Sequence, residues 1–169
     1  RLFWGLGLGL TLFSQTAFAA ETGLLSRWGF SSDRKQGTSI KAWQGGPDIE
    51  PSGSYRWADD PPPARIELPG ETERLLVAES PDKAQLPQRD LTVEAWVRVD
   101  RPQPWGGLFG TLQDNGEFER GWLLGFVNDH FSFALAAGPQ TAPRLNYLQA
   151  PSAFEPGRWY HVAGSYDGH

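Results

Sequence analysis

The sequence predicts an all-β protein, a two-sheet antiparallel β-sandwich. Three observations carry the prediction. Residues 91–100 read Leu91-Thr92-Val93-Glu94-Ala95-Trp96-Val97-Arg98-Val99-Asp100. Leu91, Val93, Ala95, Val97 and Val99 share one face of an extended chain, a period of two rich in β-branched residues. Two apolar runs flank Asn128-Asp129, residue types that tolerate the left-handed turn of a hairpin. The 169 residues include 20 glycines and 14 prolines, so turns are frequent, and no stretch has helical periodicity with caps. Many short strands with turn signals between them pack as facing sheets.

The elements follow in order. Gly23-Leu24-Leu25-Ser26-Arg27-Trp28-Gly29-Phe30 is the first expected strand. A long polar stretch over residues 31–63 follows, with short strands expected around 38–43 and 55–58, and a stiff Pro61-Pro62-Pro63 spacer. Residues 64–68 alternate and predict a strand, which the Pro69-Gly70 turn ends; residues 74–78 predict another, which Ser80-Pro81 stops. Residues 91–100 form an expected central strand with Trp96 covering its second face, terminated by Pro102 and Pro104. A glycine-rich strand over 105–112 leads to the turn Asp114-Asn115-Gly116. The hairpin runs up over 121–127 and back over 130–136, with Phe131, Phe133 and Leu135 on one face, a half-buried pattern, and Gly138-Pro139 at its end. Short strands are expected over 144–148 and, last, over 159–166.

Composition narrows the class. Net charge is −5 with no basic block, which argues against nucleic acid as a partner, since phosphate neutralisation supplies most of that affinity. Cysteine is absent, so no disulfide braces the fold and cysteine-type zinc sites are excluded. At the N-terminus, Arg1 precedes an apolar run over 2–13, followed by Ala17-Phe18-Ala19. This is the pattern of a signal peptide over residues 1–19, with a single domain over 20–169. The run is too short for a comfortable membrane span, so no stable span is expected after cleavage; a retained anchor is the alternative. Gly5-Leu6-Gly7-Leu8-Gly9 is not a nucleotide fingerprint, because no strand precedes it. The chain has no methionine and stops after Tyr166-Asp167-Gly168-His169, so it reads as a piece of a longer frame, truncated at its C-terminus. An open sheet edge and marginal stability are expected of such a piece.

Residues 91–100, the preceding Pro69-Gly70, Leu75-Leu76-Val77 and Ser80-Pro81, and the later Gly157-Arg158-Trp159-Tyr160-His161-Val162-Ala163-Gly164-Ser165-Tyr166-Asp167-Gly168 resemble the laminin G-like family of concanavalin A-type jelly rolls. Members typically read FTVEAWVKP and later GxWxHVAGTYDG. The resemblance implies a jelly-roll sandwich, further strands after the YDG turn, and a secreted, periplasmic or cell-surface protein, of the bacterial kind. It also raises calcium, which some relatives hold with loop oxygens. Asp114, Asn115 and Asp129 are candidates by type, but their spacing is not diagnostic, so no metal residues are assigned.

Catalytic signatures are missing from the sequence. Related glucanases carry E-x-D-x-x-E on one strand, so that one carboxylate attacks while another donates a proton. Glu117-Phe118-Glu119 lacks the third acid and sits by a turn, and Glu94 alone cannot fill two roles. No G-x-S-x-G elbow occurs. The three histidines, His130, His161 and His169, show no metal-ligand spacing, and His161 is expected in a core or hydrogen-bonding role.

Ligand capture is the better reading. A tryptophan can stack on a sugar while neighbouring polar groups reach its hydroxyls. Trp43, Trp57 and Trp105 lie in Gly/Pro-rich polar contexts expected to be loops or sheet rims, and Trp105 beside Gly106-Gly107 is the foremost candidate. The plainer role for each is a plug over the core edge. Trp28, Trp96, Trp122 and Trp159 are expected in the core. The sequence thus predicts a non-catalytic recognition module for an extracellular glycan or protein ligand. The alternatives are an N-terminal accessory domain of a secreted phosphoesterase, sulfatase or glycosidase with a downstream catalytic domain, and an adhesive domain without a small ligand.

Overall fold

The alternation becomes strand pairing in the computed structural model, which describes residues 23–69, 73–79, 86–87, 90–114, 119–137 and 144–168. The chain divides into two units, Arg1–Glu79 and Ser80–His169.

The first unit is built from very short strands: β1 (Arg27–Trp28), β2 (Lys35–Gln36), β3 (Ser39–Ile40), β4 (Ala42–Gln44), β5 (Glu50–Ser52), β6 (Arg56–Ala58), β7 (Arg65–Glu67) and β8 (Arg74–Leu76). They pair antiparallel as β1 with β4, β2 with β3, β5 with β8, and β6 with β7. Ile40 and Ile49 are fully buried and exchange two backbone hydrogen bonds, so the apolar centre of this unit is stitched by main chain as well as by side chains. Ion pairs brace it: Lys41 to Asp48 at 2.6 Å, and, across β6 and β7, Arg65 to Glu67 at 2.8 Å with Arg56 on the same carboxylate. The expected polar stretch over 31–63 therefore holds five short strands. The expected first strand shrinks to two residues.

The second unit contains β9 (Leu91–Arg98), β10 (Gln103–Asp114), β11 (Glu119–Asn128), β12 (His130–Ala137), β13 (Arg144–Gln149) and β14 (Trp159–Tyr166). Strands β10, β11, β12 and β13 form one antiparallel sheet in that order, and β9 pairs with β14 in another. Leu91, Val93 and Val162 from the two-stranded sheet meet Trp122, Leu124, Phe126 and Phe131 from the four-stranded one, which makes this unit a two-layer β-sandwich. Phe154, on the connection to β14, stacks 4.7 Å from Phe131 and edge-on to Phe126, and closes one end of the core. On β14 the inner position opposite Val93 is Gly164, where the Phe133 ring fills the space a side chain would occupy.

The β11–β12 hairpin has the expected two-residue turn. Val127 pairs with His130, and Asn128 takes φ 53°, the left-handed conformation that asparagine tolerates. Its second face differs from expectation: Ser132 and Ala134 are buried too, so the strand is covered on both sides. Trp96 differs the other way. It points away from Leu91 and Val93 and is 69% exposed, because no described residue of the second unit lies over the outer face of β9. Leu148 is 74% exposed opposite Phe133, since the two-stranded sheet faces four strands and leaves β13 uncovered. Residues 1–22, which hold the expected signal peptide, lie outside the described residues. So do Gly70, Ser80-Pro81, Asn115 through Phe118, Gly138-Pro139 and His169.

Candidate functional site

Register alone sets out the outer face of the four-stranded sheet. Gly107 pairs with Gly125 and Gly110 with Leu123 across β10 and β11; Gly125 pairs with Ser132 and Leu123 with Ala134 across β11 and β12; Ala134 pairs with Tyr147 on β13. The middle of this face is thus a floor of mostly small residues, Leu123 excepted. Gly125 is required there, because a Cβ at that position would sit 2.3 Å from the Gly106 carbonyl oxygen. The register of β10 is irregular between Gln103 and Gly106, a bulge that leaves Trp105 between paired positions.

Trp105 and Tyr147 come from the two opposite edge strands, and their ring centroids are 5.4 Å apart. Strands are spaced about 4.8 Å, so edges three spacings apart are ~14 Å from one another. The two rings must therefore lean inward over β11 and β12. This explains why Ser132 and Ala134 are buried on an outer face. Trp105 nevertheless remains 63% exposed and Tyr147 40%. At one end of the face Asp114 pairs with Glu119, whose carboxylate accepts a hydrogen bond from the Leu145 backbone N–H. Burial, with the charges of Asp114 and Glu119, pushes the Tyr147 hydroxyl above its ordinary pKa, so it stays a neutral donor. At the other end a shallow groove is lined by Pro102, Gln103, Pro104, Asn128 and Asp129. There the Asp129 carboxylate lies 2.7 Å from His130 Nδ1.

The other expected tryptophans stand differently. Trp43 lies on β4, half-exposed, with the guanidinium carbons of Arg27 and Arg34 5.3 and 5.2 Å from its ring centroid. Trp57 lies on β6 opposite Ile66, half-buried, its indole N–H enclosed and making no hydrogen bond among the described residues. Both sit on short strands rather than loops, in different two-stranded sheets of the first unit. Neither joins the Trp105 platform in the second. The strand tryptophans divide as well: Trp122 is buried, Trp28 is half-buried and donates to the Pro47 carbonyl at 2.9 Å, and Trp159 is half-buried under Arg98.

His161 is not a core residue. It sits on the exposed face of β14 directly opposite Trp96, ring centroids 5.3 Å apart, with Nε2 3.3 Å from a Glu94 carboxylate oxygen. Tyr147 and this Trp96–His161 pair are the residues that sequence reasoning missed.

Of the candidate calcium oxygens, Asp114 and Asp129 lie apart, and Asn115 is outside the described residues. Asp114 closes β10 beside Glu119 at one end of β11, and Asp129 follows Asn128 at the other end. A ten-residue strand is about 30 Å long, and one ion holds its ligands at ~2.4 Å. Among the described residues no three His, Asp or Glu side chains gather as metal ligands.

The laminin G-type model of the concanavalin A-like lectin/glucanases superfamily matches residues 77–169, more than half of the chain. The chain belongs to that superfamily. Mouse (Mus musculus) pappalysin-1 is 26% identical over 126 residues, 67% of this chain. The match covers 8% of pappalysin-1, so the chain spans only a small part of that relative's length. No solved structure matches. The sandwich of the second unit coincides with the matched region, and modules of the concanavalin A-like superfamily are in general ligand-binding or adhesive. No helix among the described residues is long and apolar enough to cross a membrane.

Proposed function

We propose that this chain is a non-catalytic recognition module that binds carbohydrate through the outer face of its four-stranded sheet. The observation that carries the reading is the exposed Trp105–Tyr147 pair, held over a floor of mostly small residues. A pyranose needs an apolar ring to lie on and polar groups at its edge. Trp105 and Tyr147 supply the rings. The neutral Tyr147 hydroxyl supplies a donor, and the carboxylates of Asp114 and Glu119 supply acceptors on the same face. The signal-peptide pattern over 1–19 supports export to the periplasm, the cell surface or the medium of a bacterium.

A second reading is that the module serves a larger secreted protein, such as a hydrolase. It is supported by pappalysin-1, in which the matching stretch is a small part of a long chain. The two readings are compatible, because an accessory module can capture glycan for an attached enzyme.

Trp105→Ala and Tyr147→Ala, assayed by affinity electrophoresis against a panel of soluble polysaccharides, should each lose retardation while their thermal melts match the parent. Retained binding with a lowered melting temperature would make Trp105 a plug over the small-residue floor, and the reading would fail.

A further inference from the structure

The outer face of the β9–β14 sheet carries a second set of rings that the first site does not use. Its cross-strand pairs are Thr92 with Ser165, Glu94 with Ala163, Trp96 with His161, and Arg98 with Trp159. One half of the face is flat and π-rich. Trp96 tilts 39° against the His161 imidazole, and the Arg98 guanidinium caps Trp159 at 5.8 Å. The other half is small and hydroxylated, with the Thr92 and Ser165 hydroxyls 3.1 Å apart.

Such pairs stabilise a two-stranded ladder, and that alone would explain a threonine–serine or charge pair. It does not explain a tryptophan left 69% exposed at the centre of the strand, where a smaller β-former would pair as well without offering bare apolar surface to water. Arg98 is paired locally with Asp100 at 2.8 Å, and the Glu94 carboxylate lies 3.3 Å from His161 Nε2. The face therefore presents rings, hydroxyls and one carboxylate rather than a field of either sign. That complements a neutral polyhydroxylated chain better than an acidic or basic one. From Thr92 to Arg98 the strip is about 20 Å long, room for several sugar rings in line.

We infer that this face is a second carbohydrate platform, centred on Trp96 and His161, for a neutral glycan strand. It shares its ligand class with the Trp105 site and rests on that reading for nothing else. The two faces point away from each other on opposite sides of one sandwich, so a single glycan strand cannot lie flat on both. One module would hold two strands and cross-link them.

The test is binding stoichiometry on the full chain. The probes are neutral hexasaccharides of glucose, mannose, galactose and xylose, with hexameric alginate as an anionic comparator. Titration calorimetry should give two sites per chain for a neutral probe, one site in Trp96→Ala, one in Trp105→Ala, and none in the double variant. Trp96→Tyr, which keeps a ring, should keep both sites, and near-ultraviolet circular dichroism confirms that each variant is folded. The parent should also precipitate the matching long polysaccharide, whereas either single variant binds without precipitating it. One site, lost in Trp105→Ala and untouched in Trp96→Ala, overturns this inference and leaves the first reading standing. One site lost only in Trp96→Ala does the reverse. Binding of alginate alone overturns the neutral platform, and no binding by the parent overturns both.

Discussion

Gly164→Ala tests the packing between the two sheets of the sandwich. Gly164 is a buried inner-face residue of β14, and an added Cβ would lie 2.5 Å from Cδ2 and 2.7 Å from Cγ of Phe133 on the facing sheet. An ordinary carbon contact is at least ~3.5 Å, so the methyl forces a displacement of about 1 Å. The obstructing atoms are the root of an aromatic ring, not the tip of a flexible chain. Overpacking of this kind costs about 1–3 kcal/mol. Against it, alanine reduces the freedom of the unfolded chain and returns roughly 0.4–1 kcal/mol. The clash wins, with a net loss of about 1–2 kcal/mol, or about 3–6 °C in melting temperature for a chain of this size. Differential scanning calorimetry of four proteins measures it: parent, Gly164→Ala, Phe133→Ala and the double variant. In the Phe133→Ala background the methyl enters vacated space, so the substitution should become neutral or stabilising. A melting temperature at or above the parent in Gly164→Ala would refute the reasoning. So would an equal loss in both backgrounds.

Other outcomes follow from the same coordinates. Asn128→Gly should melt no lower than the parent, whereas Asn128→Val should lose about 1–2 kcal/mol at the left-handed turn position; equal melts for the two would show that the turn does not hold φ 53° in solution. Hydrogen bonds from Arg56 first and Arg65 second hold the Glu67 carboxyl below its ordinary value of 4.5. Its stabilising contribution is therefore present above that value and lost as pH falls through the lowered native one. Glu67→Gln should accordingly melt below the parent near neutrality, with the gap closing in acid; a gap that stays constant from neutral to acid pH would argue against the pairing. The losses of glycan retardation in Trp105→Ala and Tyr147→Ala, at unchanged melting temperature, complete the set.

Much of the second unit was legible because its strands are long enough to show a period. The first seven residues of β9 alternate in burial, and the two apolar runs around Asn128-Asp129 specify both the hairpin and its register. The first unit was opaque for the opposite reason. Strands such as Lys35–Gln36 and Ser39–Ile40 are two residues long, and no period exists over two residues. Trp96 was misplaced although the alternation held the answer: it sits opposite Leu91 and Val93 in phase, and only an assumed second covering layer put it inside. Trp105 was found from its glycine-rich context. Its partner Tyr147 was not, because the two rings meet across three strand spacings and forty-two positions of sequence, with no local signal linking them.

Strand order also bears on how the second unit comes to exist. Strands β10 to β13 pair each with the next in sequence, whereas β9 and β14 join residues more than sixty positions apart. Closing a loop of that length costs about 3 kcal/mol more than closing a two-residue turn, and it is met before any of its contacts are formed. The meander around Asn128 is therefore the natural nucleus, and the β9–β14 ladder is the late event. Substitutions in the hairpin should slow folding; substitutions in the ladder should leave that rate alone and speed unfolding. The lifetime of the folded module should then follow the stability of the β9–β14 ladder, the strand pair that carries Trp96 and His161.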